Sequence, residues 1–116
     1  MGALPYDPGL AERLKDLLGG RPDMMEKKMF GGIGWMLGGN MCVGVYKEWL
    51  IVRVGEGLKD LLNNPTLNAH AKAMDITGKP MKGWGMVAPE GVAEDDQLAE
   101  WTQRAIDFVQ TLPVKA

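Results

Sequence analysis

The chain has little with which to build a redox, metal or covalent catalytic centre. Its 116 residues include one cysteine, Cys42, and one histidine, His70. A lone cysteine excludes an internal disulfide and is typical of a reducing compartment. One cysteine and one histidine also fall short of the three or four ligands that a protein zinc site uses. We therefore expect no metal and no cofactor.

Long apolar runs and dense positive charge are missing too. No stretch reaches the roughly 18 apolar residues of a membrane span, and the N-terminus lacks the basic and apolar regions of a secretory signal. We expect a cytoplasmic protein without a membrane contact. Net charge is −2 and the pI is about 5.3, whereas a nucleic-acid binder usually has a basic stripe and a high pI. We therefore do not expect nucleic acid as the main partner.

Glycine is abundant, and it separates short apolar runs between residues 28 and 54. The separators are Gly38-Gly39-Asn40 and Lys47-Glu48. Gly-Gly and Gly-Asn favour two-residue hairpin turns, because glycine adopts positive φ without steric cost. The pattern predicts a three-stranded antiparallel meander with strands at 29–37, 41–46 and 49–54. The third strand is apolar on both alternating faces, which predicts a central position with cover on both sides.

Leucine spacing predicts the helices. Asp7 and Pro8 suit an N-cap and a first helical position, and the leucines that follow recur every three or four residues over 8–18. The same spacing predicts a short helix over 56–63 and a final helix that carries an apolar stripe over 98–112.

Two more strands, 71–76 and 81–88, are predicted around the turn sequence Thr77-Gly78-Lys79-Pro80. Residues 23–27 are predicted as a short turn that leads into the meander. The resulting order is α-β-β-β-α-β-β-α. We therefore predict one α+β domain over residues 1–116, with a single antiparallel sheet and helices packed on it.

Two motifs give the chain a family resemblance. Lys28-Met29-Phe30-Gly31-Gly32 and Gly78-Lys79-Pro80-Met81-Lys82-Gly83-Trp84, with the acidic lead-in to Leu98-Ala99-Glu100-Trp101, resemble the N-terminal domain of the TfoX/Sxy family. The resemblance implies a fold similar to type III secretion chaperones and YjbR-like proteins. It also implies kinship with regulators of competence for DNA uptake in bacteria. Full-length members carry a second domain, and we expect a stand-alone first domain here. The resemblance brings no catalytic residues with it.

Two features of the sequence allow a nucleotide-binding or an enzymatic interpretation, and for each a structural interpretation is stronger. Gly31-Gly32-Ile33-Gly34 leads to a hairpin and not to a helix, and no Gly-Lys-Ser/Thr follows, so a phosphate loop is not expected. Cys42 and His70 are a conceivable nucleophile and base, but the apolar strand around Cys42 favours an inert, buried thiol. We expect a non-enzyme.

The best candidate site is a basic patch edged by an aromatic ring. It consists of Lys27, Lys28, Lys79, Lys82 and Trp84, and it forms if the last hairpin folds beside the first strand. Such a patch suits a carboxylate-rich peptide or an anionic ligand. The alternative interpretation, without a binding role, is a set of solvated lysines around a core tryptophan.

The preferred function is a non-enzymatic regulatory or protein-interaction module with an unknown protein partner. Nine methionines suit an adaptable contact surface, and a homodimer that uses the sheet or this surface is expected. The alternative is a small anionic-ligand or nucleic-acid-binding domain that uses the Lys79–Trp84 hairpin.

Overall fold

A six-stranded antiparallel sheet carries three helices on one of its faces. The computed structural model describes residues 6–29, 31–64, 68–75, 78 and 81–114. The helices are α1 (Pro8–Leu18), α2 (Gly57–Asn63) and α3 (Asp95–Val109). The strands are β1 (Met24–Met29), β2 (Gly32–Leu37), β3 (Asn40–Tyr46), β4 (Trp49–Arg53), β5 (Ala71–Ala73) and β6 (Trp84–Val87). They lie in the order β1-β2-β3-β4-β6-β5.

The predicted α+β class, with one antiparallel sheet and three helices, is confirmed. The prediction of a turn over 23–27 is wrong, because residues from Met24 onward form the edge strand β1. This strand pairs along its whole length with β2, from Met24 opposite Leu37 to Met29 opposite Gly32. Its sequence shows no alternation of apolar and polar residues, so only the pairing with β2 defines it.

Both long helices begin as their sequences dictate. The Asp7 carboxylate accepts a hydrogen bond of 2.8 Å from the Gly9 amide at the start of α1. At α3 the backbone N–H of Glu94 donates to the side-chain oxygen of Gln97, at 2.9 Å. Each bond satisfies a backbone or capping donor that the first helical turn leaves unpaired. The buried stripe of each helix behind its cap points into the core.

The predicted hairpin turns are confirmed where the structure describes them. Gly38 and Gly39 have φ of +59° and +82° and join β2 to β3, with Leu37 opposite Asn40. A bulge follows, since the pairing register shifts between Trp35 and Met36. In the last predicted turn, Thr77, Lys79 and Pro80 lie outside the described residues.

The hydrophobic core lies between the sheet and the helices. Its sheet side is formed by residues that alternate along the strands, such as Val43, Val45, Leu50 and Val52. Arg13 of α1 reaches the carboxylate of Asp95 at the start of α3, at 3.1 Å, and the buried residues of both helices belong to the same core. The helices therefore pack on one face and leave the alternate residues of each strand on the other.

Candidate functional site

The face of the sheet opposite the helices carries buried and aromatic side chains that do not belong to the core cluster. Ile51 of β4 is opposite Met86 of β6, which is opposite Lys72 of β5. Ile51 and Met86 are buried, yet they lie outside the core cluster that contains their neighbours Leu50 and Val87. None of the described helices packs on this side. The open face consists of Met25, Lys27, Gly34, Met36, Met41, Gly44, Tyr46, Trp49, Ile51, Arg53, Lys72, Trp84 and Met86.

Cations lie over the two tryptophans of the open face. The guanidinium of Arg53 is 5.2 Å from the ring centroid of Trp84, its partner on the neighbouring strand. The Lys72 ammonium is 5.0 Å from the ring centroid of Trp49. Because β6 lies between β4 and β5, Lys72 and Trp49 meet above β6. Long cationic side chains cover apolar surface with their stems, which explains how Ile51 is only 2% exposed without a helix above it.

A pair of glycines leaves part of the open face without side chains. Gly34 and Gly44 lie directly opposite each other on β2 and β3. A Cβ atom built on Gly34 would lie 3.1 Å from the terminal methyl of Met41, and one built on Gly44 would lie 2.8 Å from it. The flexible side chain of Met41 therefore lies across the glycine pair. Displacing this one side chain would open a slot between two strands.

The charge of the open face has one sign. Lys27, Arg53 and Lys72 belong to it, and its members include no aspartate or glutamate. Asp75, which follows β5, lies 3.5 Å from Lys72, and both side chains are about half exposed, at 49% and 50%. An exposed pair of this kind contributes little and exchanges readily. The open face thus combines three cations with methionines and aromatic rings.

The structure does not bring together the four residues of the predicted patch that it describes. The last hairpin does not lie beside β1, since β6 pairs with β4 and β5. Lys27 and Trp84 do share the open face, but four strand spacings of about 4.8 Å put them about 19 Å apart. Lys28 pairs with Ile33 and lies on the helix side of the edge strand. Lys79 lies outside the described residues.

Lys82 lies away from the open face and lines a groove on the helix side of the sheet. This groove has a volume of about 1060 Å³ and runs between α2, the last hairpin and α3. Leu58, Met81 and Phe108 give it apolar walls, and acidic and basic side chains of α2 edge it. Its charge is mixed, so it has no clear preference for one class of ligand.

The only cysteine and histidine of the sequence lie apart. Burial raises the pKa of the Cys42 thiol to about 12, so the thiol stays protonated and is a poor nucleophile. His70 is exposed and precedes β5, which is the third strand from β3 in the sheet. Three strand spacings are about 14 Å, too far for a direct hydrogen bond. In the described part of the chain, no three His, Cys, Asp or Glu residues are grouped to hold a metal.

Signals for the open face were present in the sequence, but only in part. Trp49, Ile51 and Arg53 alternate along the third strand of the predicted meander, and this spacing places them on one face. Lys72 and Trp84, which share this face, lie 19 and 31 residues after Arg53 in the sequence, and nothing in the local pattern gives the order β4-β6-β5. The sequence motifs Gly31-Gly32 and Gly83-Trp84 drew attention to the hairpins and not to the face that they share.

Comparison with known proteins places the chain in a family. The family model described as TfoX N-terminal domain matches residues 16–109, which is most of the chain. The protein therefore belongs to the TfoX N-terminal domain family, as its motifs predicted. No curated protein and no solved structure matches it significantly. Within the described residues, no helix has both the length and the apolar character of a membrane span.

Proposed function

We propose that the protein is a non-enzymatic regulatory module, of the kind found in competence regulators, that works by binding a protein partner on the open face of its sheet. Family membership supports the regulatory class. The open face carries the proposal: methionines and aromatic rings lie on one side of the sheet without a helix over them in the described structure. A surface of this composition is typical of contact sites, where aromatic residues, Met and Arg are enriched.

The composition of the same face supports recognition without a reaction. Its polar groups are ammonium, guanidinium, indole and phenol groups, with no carboxylate, imidazole or thiol among its members. General acid–base catalysis usually depends on a carboxylate or imidazole whose pKa lies near the working pH. The proposal therefore assigns recognition and no reaction to the open face.

Homodimer formation remains part of the proposal, but the open face is not its best location. A two-fold contact through this face would bring Lys27, Arg53 and Lys72 of both copies to one interface. Like charges placed together at an interface are costly. The edge strand β1 suits self-association better, because no strand of the described residues pairs with its outer edge and its side chains carry both signs of charge.

Single-stranded nucleic acid is a second candidate, favoured by one observation. Trp49 and Trp84 each lie beside a cation, and stacking surfaces for unpaired bases combine aromatic rings with basic residues. The net charge of −2 weighs against it. Salt would weaken the binding of either a protein partner or a nucleic acid to these cations. A salt dependence therefore does not separate the two candidates, and the partner itself must be identified.

Photo-crosslinking in the cells that produce the protein tests the proposal. A photoreactive phenylalanine analogue replaces Met36 on the open face or, as the matched control, Gln103 on the exposed side of α3. The proposal predicts a discrete protein adduct from position 36 that position 103 does not give. Equal adducts from both positions, or none from position 36, would remove the open face as the contact surface.

A further inference from the structure

We infer that the open face accepts an acidic amphipathic segment of a partner protein, with carboxylates on its three cations and apolar anchors among its methionines. This inference rests on the proposed function and names the chemistry of the partner.

Charge complementarity is the first support. Lys27 lies on β1, Arg53 on β4 and Lys72 on β5, so the cations extend over the whole width of the sheet. Five strand spacings are about 24 Å, which equals the length of about 16 residues of α-helix. A helical segment that crosses the strands and carries several carboxylates therefore matches both the sign and the spread of the charge.

The methionines are the second support, because they offer an apolar surface that adapts to its ligand. Met25 is 71% exposed, and Met36 lies opposite Met41 near the glycine pair. Unbranched thioether side chains repack around different anchors at small cost. When Met41 swings away, Gly34 and Gly44 leave a slot for an apolar anchor of the partner.

The carboxylates of such a segment would find cations that are only loosely held. Lys72 is exposed and has Asp75 as its carboxylate partner at 3.5 Å. Arg53 lies over Trp84, and an arginine in that position keeps its N–H donors free to grip a carboxylate in the plane of the guanidinium. A partner carboxylate replaces the exposed Asp75 contact on Lys72 and adds a new one on Arg53.

Two other occupants fit these observations less well. A second copy would place like charges together, as described above. Nucleic acid stacks on aromatic faces, yet four members of the open face are methionines, and the net charge of the chain is −2. The methionines have a role in holding apolar anchors and none in reading bases or phosphates.

Titration of the ¹⁵N-labelled protein tests the inference. The probe is a synthetic 18-residue amphipathic peptide that carries Glu on one face and Leu and Phe on the other. Its counterpart has Gln for every Glu, and an oligonucleotide of ten thymidines is the third probe. We expect the acidic peptide to shift the amides of Met36 and Ile51 and the indole N–H of Trp84, while Gln103 stays unchanged. We expect the Gln peptide to bind at least tenfold more weakly.

Variants make the test specific. Lys72→Glu changes an exposed side chain and should weaken the acidic peptide at least fivefold, and a peptide with Lys for Glu should regain binding to it. Gly34→Ala fills the slot: its Cβ would lie 3.1 Å from the movable terminal methyl of Met41 and in ordinary contact, at 3.6 Å, with the Val43 carbonyl oxygen. This variant should weaken the peptide at least threefold without loss of fold. Lys59→Glu on α2 is the control and should leave binding unchanged.

The outcomes separate this inference from the proposed function. Equal binding of the acidic and Gln peptides, tighter binding of the oligonucleotide, or a dimer that Lys72→Glu abolishes would each overturn the inference. If the photo-crosslinked partner contacts position 36 through a segment without acidic residues, the inference fails and the proposed function stands. If position 36 captures no more than position 103, the proposed function fails first.

Discussion

Arg53 lies over the indole of Trp84, with 5.2 Å between the guanidinium carbon and the ring centroid. The two residues face each other on β4 and β6, the strands that the sheet brings together from the two halves of the chain. This contact and the contact of Lys72 with Trp49 both lie over the part of the sheet that β4, β6 and β5 form. The cations thus have two roles: they cover apolar residues in the free protein and offer charge to a partner.

Removing the cation from Trp84 should destabilise the fold measurably. We expect Arg53→Ala to lower the free energy of unfolding by about 1 kcal/mol, through the lost cation–π contact and the uncovered apolar surface. The matched control is Arg104→Ala, which breaks only an exposed pair with Glu100 one helical turn away and should cost less than about 0.5 kcal/mol. Urea unfolding measures both; equal losses would show that Arg53 covers nothing.

Gly55 packs closely against Gly83, where a Cβ atom would lie 3.1 Å from the Cα of Gly55. Neither position should tolerate a side chain. Gly55 has φ of +60°, and a Cβ atom there would overlap the ring of Phe108. We expect Gly55→Ala to cost about 2 kcal/mol or more. Gly57→Ala is the control, because nothing lies within 4 Å of its Cβ position, and it should be neutral or slightly stabilising in α2. A neutral Gly55→Ala in thermal unfolding would contradict this packing.

The buried hydroxyl of Thr102 should be replaceable with a gain in stability. This side chain is 2% exposed, and its oxygen has no hydrogen-bond partner among the described residues. Thr102→Val keeps the shape and removes the unpaired group, so we expect a gain of about 1 kcal/mol. Thr102→Ser keeps the hydroxyl and loses a methyl, and should cost about 1 kcal/mol. A loss of stability in the Val variant would mean that the hydroxyl is paired after all.

The Cys42 thiol should be unreactive in the folded protein. Its pKa is raised from 9.0 to about 12 by burial, so at pH 8 the folded thiol is protonated and a disulfide reagent should label it only after unfolding. A raised pKa favours the folded state fully below pH 9, and this contribution is lost as pH rises through 12. Rapid labelling of the native protein at pH 8 would show that the thiol is accessible.

Much of the fold could be predicted where local physics decides it. α1 has the predicted bounds 8–18, because Asp7, Pro8 and the leucine stripe all act within one segment. The Gly38-Gly39 turn was equally predictable, since positive φ at both positions favours glycine. β1 was missed because its residues, Met-Met-Glu-Lys-Lys-Met, have no alternating pattern, and only the backbone of β2 makes them a strand.

The candidate site was harder to predict, for a topological reason. Lys82 and Trp84 are close in the sequence, but β6 begins at Trp84. Trp84 therefore lies on the open face, while Lys82 lines the groove on the helix side. The apolar residues on both faces of β4 also predicted that this strand is covered on both sides. In the structure Ile51 is buried but lies outside the core cluster beneath the helices. Strand order depends on long-range pairing, which period-two patterns do not encode.

The methyl signals of the methionines provide the most direct test of the central claim. The protein is labelled with ¹³C-methyl methionine, and its spectrum is recorded alone and with the partner captured by photo-crosslinking. Our account predicts that Met25, Met36 and Met41 shift on binding, whereas Met81 in the helix-side groove stays in place. Shifts at Met81 with unchanged signals from Met36 and Met41 would show that the partner binds the groove and contradict the account.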